Sequence, residues 1–215
     1  MNAMTDLTRK DLLEAFGTLG TQARKDGMVI DIAVYGGSCL MLASNFRQAT
    51  KDVDAVTAYG VENQRYIDRL AGEIAAQRGW PQDWLNDGVR TFLSPNVELF
   101  EQHEPFGSYP SEDAPGLRVF IPKPEYLLAM KLMAMRVDAA TGGADLEDIL
   151  NLLQVVGPAG KQDIVELAAG FYPEARVSGK LLLSLDHLWS AYESRERQNR
   201  GEPPRYPGGS GPKIV

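Results

Sequence analysis

The chain has 215 residues, 44% hydrophobic and 24% charged, which is the composition of an ordinary globular protein long enough to bury a proper core. Its 22 Lys and Arg against 29 Asp and Glu leave a net charge of −7, so a broad nucleic-acid-binding face is not written into the overall charge, although a local basic groove is compatible with it. The single cysteine, Cys39, excludes an internal disulfide framework and fits a reducing compartment; in the apolar run 39–42 it reads as a small core residue rather than a nucleophile. Neither a signal peptide nor an apolar run of membrane-spanning length is present, so a cytoplasmic protein with no membrane partner is expected. The opening MNAM offers two start methionines.

In chain order, residues 8–26 read as an amphipathic helix, with Thr8 as cap, Asp11 three residues on, and Leu12, Leu13, Phe16 and Leu19 at helical spacing. Gly27 ends it. Met28–Tyr35, rich in Val and Ile, predicts a strand covered on both faces. Ser38–Asn45 predicts a helix, Asp52–Thr57 a second strand, and 61–78 another amphipathic helix closed by Gly79 and Pro81. Trp84–Phe92 is expected as a short helix, and Asn96–Glu101 and Leu117–Ile121 as strands. The turn-rich stretch between them, EPFGSYPSEDAPG, is expected to be mostly loop with room for a short strand. After Pro122 the pattern is helical only: Glu125–Val137, Asp145–Val155, Lys161–Ala169 and 175–200. The last fifteen residues, dense in Gly and Pro, read as a flexible tail. The fold class expected is therefore α+β: a small mixed sheet flanked by helices over 1–122, a helical region over 123–200 packed on it, and a tail over 201–215.

The chemistry concentrates where the first strand ends. Gly36-Gly37-Ser38 closes that strand and opens a helix; a backbone without Cβ atoms can approach a phosphate closely, and the helix N-terminus favours negative charge. Fourteen residues after Ser38, Asp52-Val53-Asp54 places two carboxylates at i and i+2, on one face of a strand. Acids that close repel one another unless a cation lies between them, which points to Mg²⁺. Lys51 falls on the opposite strand face and reads as a surface residue.

Strand, Gly-Gly-Ser, short helix, Arg47, Thr50 and then D-V-D resembles the motif of the nucleotidyltransferase (polymerase-beta-like) superfamily, and is most similar to the bacterial toxin-type AbiEii-like and MenT-like members. Their pattern, GG[ST]-x-L-x-L, an Arg, and T-x-D-h-D, falls on Gly36, Gly37, Ser38, Leu40, Leu42, Arg47, Thr50, Asp52 and Asp54. The resemblance implies that Asp52 and Asp54 hold one or two Mg²⁺ ions, that Ser38 and the backbone N–H groups near Gly37 bind the β- and γ-phosphates, and that Arg47 holds phosphate or pairs with an acid. It further implies a lysine on the helix after the last strand, an arginine, and a later acid pair: here Lys131, Arg136, and Asp145 with Asp148. By spacing alone, Lys131 is either the polar edge of an amphipathic helix or a cation aimed into a cleft. Asp145 and Asp148 lie one helical turn apart on one face; Asp145 also suits a helix start, so Asp148 is the better site candidate.

One departure stands out. Members of the superfamily carry a third acid on a later strand, whereas Arg118-Val119-Phe120-Ile121 has none; Glu98, with Glu101 nearby, is the alternative. His103 and His187 lack metal-ligand spacing and read as loop and helix surface. Trp80, Trp84 and Trp189 read as core or cover, and Arg195, Arg197 and Arg200 as a solvated helix end that could touch RNA phosphates. The resemblance implies Mg²⁺-dependent transfer of a nucleoside monophosphate from an NTP to RNA (such as tRNA), a protein or a small molecule, in a toxin–antitoxin setting with a cognate antitoxin as partner. The missing acid would permit the alternative of a catalytically impaired nucleotide-binding, regulatory or antitoxin partner protein.

Overall fold

The computed structural model describes residues 6–44, 46–58, 60–135, 143–177 and 179–201. A short strand β1 (Leu7–Thr8) runs into helix α1 (Arg9–Lys25), whose start is a full capping box: Thr8 accepts from the Asp11 N–H, and the Asp11 carboxylate accepts from the Thr8 N–H at 2.9 Å. Strand β2 (Ile30–Val34), helix α2 (Gly36–Ser44), the two-residue strand β3 (Ala49–Thr50), strand β4 (Val53–Thr57) and helix α3 (Gly60–Arg78) follow. Strand β5 (Leu85–Asn86), a 3-10 turn over Gly88–Phe92, and strands β6 (His103–Tyr109) and β7 (Leu117–Pro122) complete the sheet region. Among the described residues the helices that then follow are α4 (Pro124–Ala134), α5 (Ala144–Val156), α6 (Lys161–Phe171), α7 (Glu174–Val177) and α8 (Gly179–Asn199).

The main sheet has the order β5-β4-β2-β7-β6. Its centre is β2, antiparallel to β4 and parallel to β7, and it is buried along most of its length. Helix α1 packs on β6 and β7, and α3 on β4 and β5, so the apolar stripes of both helices close over the sheet. The structure is thus the expected α+β arrangement, a mixed sheet flanked by helices with helices alone after Pro122 among the described residues. Trp84 and Cys39 are core, the first donating its indole N–H to the Ala71 carbonyl at 2.9 Å.

Four expectations are corrected. Residues 96–101 form turns, not a strand; Val97 and Leu99 alternate as strand residues do, but no neighbouring strand takes their backbone groups. The pairing partner of β7 is instead 103–109, in the stretch expected to be mostly loop with room for a short strand; the strand there is seven residues long, and Pro105 and Gly107 obscure its pattern and flank a register shift. Residues 84–92 are a strand followed by a 3-10 turn rather than one helix. The expected helix 175–200 begins as the separate turn α7. Arg136 and the expected tail beyond Gly201 lie outside the described residues. Among the described residues no helix is long and apolar enough to cross a membrane.

Candidate functional site

The turn from β2 into α2 is built around backbone contacts. Tyr35 donates its N–H to the Asp54 carbonyl at 2.8 Å, which fixes the end of β2 beside β4. Gly36 then adopts φ +63°, a conformation that side chains other than glycine resist, and a Cβ there would lie 2.6 Å from Asp54 Oδ2. A Cβ on Gly37 would lie 2.9 Å from Arg47 Nη1. The glycine pair therefore lets a carboxylate and a guanidinium come against bare backbone at the start of a helix. The Ser38 hydroxyl, buried, donates to the Tyr35 carbonyl at 2.7 Å. In this conformation the turn offers a ligand its backbone rather than that hydroxyl.

Asp54 lies in β4 and Asp52 one residue before it; both line one groove of about 730 Å³ with Gly36, Gly37, Arg47, Thr50, Lys51, Lys131 and Asp145. Lys51, expected on the far strand face, lines this groove too, because it precedes the strand and alternation does not govern it. The loop carrying Arg47 and Asp52 is tied down by β1, which pairs antiparallel with β3 in the register Leu7↔Thr50, and by the Thr50 hydroxyl donating to the Asp52 carbonyl at 2.9 Å.

Behind the groove, Asp148 is 2% exposed. Its carboxylate accepts from Arg47 Nε at 2.8 Å and Nη2 at 2.6 Å, and from Lys131 Nζ at 2.8 Å. Lys131 also reaches the exposed Asp145, with Nζ–Oδ1 at 3.3 Å. The structure thus gathers Arg47, Lys131, Asp145 and Asp148, from three elements far apart in sequence, beside Asp52 and Asp54. Asp148 lines neither the groove nor the adjoining cavity; it acts through the two cations it holds.

The two aspartates differ in environment. Desolvation, then the neighbouring Asp52 charge, raises the Asp54 pKa above the usual carboxylate value, while Lys131 pulls it down. Among the described residues neither Asp52 nor Asp54 takes a hydrogen bond or ion pair on its carboxylate. An unpaired, half-desolvated acid next to a second acid suits a divalent cation. Mg²⁺ commonly takes only one or two protein carboxylates together with substrate phosphates and water, and this donor set fits that pattern. It does not amount to an all-protein site: among the described residues no group of three or more His, Cys, Asp or Glu is placed to hold a metal. Glu98, the expected alternative for a third acid, is exposed in a turn where its N–H meets the Glu101 carboxylate. The residue in register with Asp54 on the neighbouring strand β5 is Asn86, an amide.

Sequence reasoning missed two parts of this region. One is a cavity of about 280 Å³ that opens beside the groove, walled by Val89 and Phe92 of the 3-10 turn and Leu127, Met130, Ala134 and Met135 around α4. The apolar positions of α4 all read as core, and nothing in their spacing marks those that face a void. The other is a buried pair: His103 Nε2 lies 2.8 Å from the Tyr35 hydroxyl. His103 is a strand residue rather than a loop residue, and burial pushes its pKa down to about 4. His187 is exposed on α8 as expected, and Arg195 pairs with Glu147 at 2.7 Å.

No protein-family model matches the chain, and no curated protein matches it in sequence. Among solved structures, it is similar to an antigenic nucleotidyltransferase-like protein from Paracoccidioides brasiliensis, at 17% identity and a TM-score of 0.49, over 92% of this chain and 96% of that one.

Proposed function

We propose that the protein binds a nucleoside triphosphate with Mg²⁺ in the Asp52–Asp54 groove and transfers the nucleoside monophosphate to an acceptor hydroxyl. The observation that carries this reading is the convergence on one groove of Gly36 backbone, two unpaired aspartates, and the cations Arg47 and Lys131. Three cations (Arg47, Lys51 and Lys131) face four carboxylates (Asp6, Asp52, Asp54 and Asp145) there, so the lining does not offset a triphosphate's charge unless a divalent ion joins it. Asp52 and Asp54 would hold that ion, which when bound supplies Lewis-acid stabilisation of charge on the phosphates. Arg47 and Lys131, held by Asp148, lie where they can neutralise the triphosphate, and the α2 N-terminus presents backbone N–H groups to it. In the reaction the acceptor oxygen bonds to the α-phosphorus, the bond to the pyrophosphate oxygen breaks, and the hydroxyl proton passes to solvent in the open groove. Catalysis would rest on positioning and charge neutralisation. The acceptor proposed is RNA such as tRNA, a protein side chain or a small molecule. The cellular setting proposed, by the toxin-type motif, is a cytoplasmic toxin–antitoxin pair with a cognate antitoxin.

A second reading has its own support. The amide of Asn86 in register with Asp54, and the lack among the described residues of a third acid placed with Asp52 and Asp54 to hold a metal, suit a protein that binds nucleotide without transferring it. Labelled NTPs with Mg²⁺, total RNA and the protein itself as acceptors separate the two. The transfer reading expects label on an acceptor and a loss of at least about a hundredfold in Asp52→Ala/Asp54→Ala. Saturable NTP binding without any labelled product supports the binding reading, and transfer undiminished in the double variant refutes the metal assignment.

A further inference from the structure

The groove and the cavity share Gly36, Asp54, Lys131 and Asp145, so one continuous space runs from a charged end to an apolar one. The apolar end has Val89 and Phe92 on one wall and Leu127, Met130, Ala134 and Met135 on the other. Its volume of about 280 Å³ falls just below the roughly 300–1,000 Å³ of typical small-molecule pockets, which is room for a ring system and not for a peptide. Phe92 is 41% exposed, an aromatic face left in water at the mouth of a cavity. Such a face is unfavourable for the empty protein and useful to one that stacks a flat ligand.

We infer that this cavity is the nucleoside pocket of the triphosphate site, holding the base by apolar packing and stacking against Phe92 rather than by reading its hydrogen-bonding edge. The inference rests on the nucleotide reading above and adds to it the part of the site that distinguishes a nucleotide from a bare polyphosphate. Among the described residues lining the cavity, Tyr35 is the one uncharged side chain with a hydrogen-bonding group, and its hydroxyl is paired with buried His103. The charged side chains Asp54, Lys131 and Asp145 lie on the part shared with the groove, where the phosphates belong. A pocket of this chemistry discriminates weakly between bases, because neither a missing nor an added polar group on the ring leaves a protein group unpaired.

The test compares Mg²⁺ with ATP, GTP, CTP, UTP or inorganic tripolyphosphate, by calorimetric titration of the full chain. Two variants come from opposite walls: Ala134→Trp, at an exposed position, to fill the cavity, and Phe92→Ser to remove the stacking face. Melting temperature and circular dichroism check folding in both. The expected result is that the wild type binds nucleotides roughly ten- to a hundredfold tighter than tripolyphosphate, with less than about a hundredfold between any two bases. Both variants should lose that margin while keeping the affinity for tripolyphosphate. Equal affinity for nucleotide and tripolyphosphate in the wild type, a margin that survives in both variants, or base discrimination beyond that limit would overturn the nucleoside pocket and leave the phosphate groove standing. Failure of tripolyphosphate and every nucleotide to bind would overturn both.

Discussion

Half-buried beside a second carboxylate, Asp54 has its pKa raised by desolvation first and by Asp52 second. An acid whose pKa is higher folded than unfolded contributes stability below its unfolded pKa and loses that contribution as pH rises through its folded value. At neutral pH the ionised Asp54 therefore lowers the stability of the metal-free protein, as a residue selected for use rather than packing often does. Asp54→Asn should melt higher than the wild type at pH 7 without metal, by roughly 2 °C. That margin should shrink as pH falls through the carboxylate range, and excess Mg²⁺ should raise the wild type alone. A variant that melts lower than the wild type at pH 7 would mean that Asp54 is stabilised by a contact rather than strained by its neighbours. The acid pair itself was legible in the sequence because i and i+2 spacing at a strand start is local. That Asp148 would be buried under Arg47 and Lys131 was not, since the partners stand 101 and 17 positions away and only tertiary packing brings them together.

Between elements, backbones meet closely where α1 crosses the β6–β7 hairpin. A Cβ on Gly20 would lie 2.4 Å from the Tyr109 carbonyl oxygen, and one on Gly116 would lie 2.0 Å from the Gly20 carbonyl oxygen. Helix and hairpin thus meet backbone to backbone, and there is no flexible side chain to yield. Gly20→Ala should cost about 3 kcal/mol or more despite the better helix propensity of alanine, read as a lower urea midpoint. Gly17→Ala, three residues away in the same helix with nothing within 4 Å of its Cβ, should be neutral or stabilising. An equal response of the two variants would remove the close crossing from the account. This contact also explains which elements the sequence disclosed. Helices α1, α3 and α4 carry their own evidence in periodicity and caps. Strand β6 does not: its Pro105 and Gly107 are tolerated because it is an edge strand paired only to β7, and that pairing depends on a distant helix lying against it. Conversely, the strand-like alternation at 96–101 has no partner to realise it.

For the molecule as a whole, the Arg47–Asp148 pair joins the loop before β4 to helix α5, so the site is assembled from both the sheet and the helices that follow it. Loss of one partner of a buried, doubly bonded ion pair leaves the other charge uncompensated, at about 3–5 kcal/mol; Arg47 is 24% exposed, which places this pair at the lower end. Two tryptophans report the two ends separately, Trp84 against α3 in the sheet region and Trp189 on α8. In the wild type, single-tryptophan versions should give coincident urea transitions, matching circular dichroism, as expected of one cooperative unit. In Asp148→Ala the midpoint should fall, and the α8 reporter should unfold before the sheet reporter, because the ionic tie between them is gone and only apolar contacts and a few hydrogen bonds such as Tyr172 to the Phe92 carbonyl remain. Asp148→Asn keeps the shape without the charge, so it should recover part of the stability without restoring Mg²⁺-nucleotide affinity, Arg47 and Lys131 no longer being held by a carboxylate. Coincident transitions in Asp148→Ala, with unchanged nucleotide affinity, would show that the helices and the sheet communicate through their apolar contacts and that the buried aspartate does not position the cations of the groove.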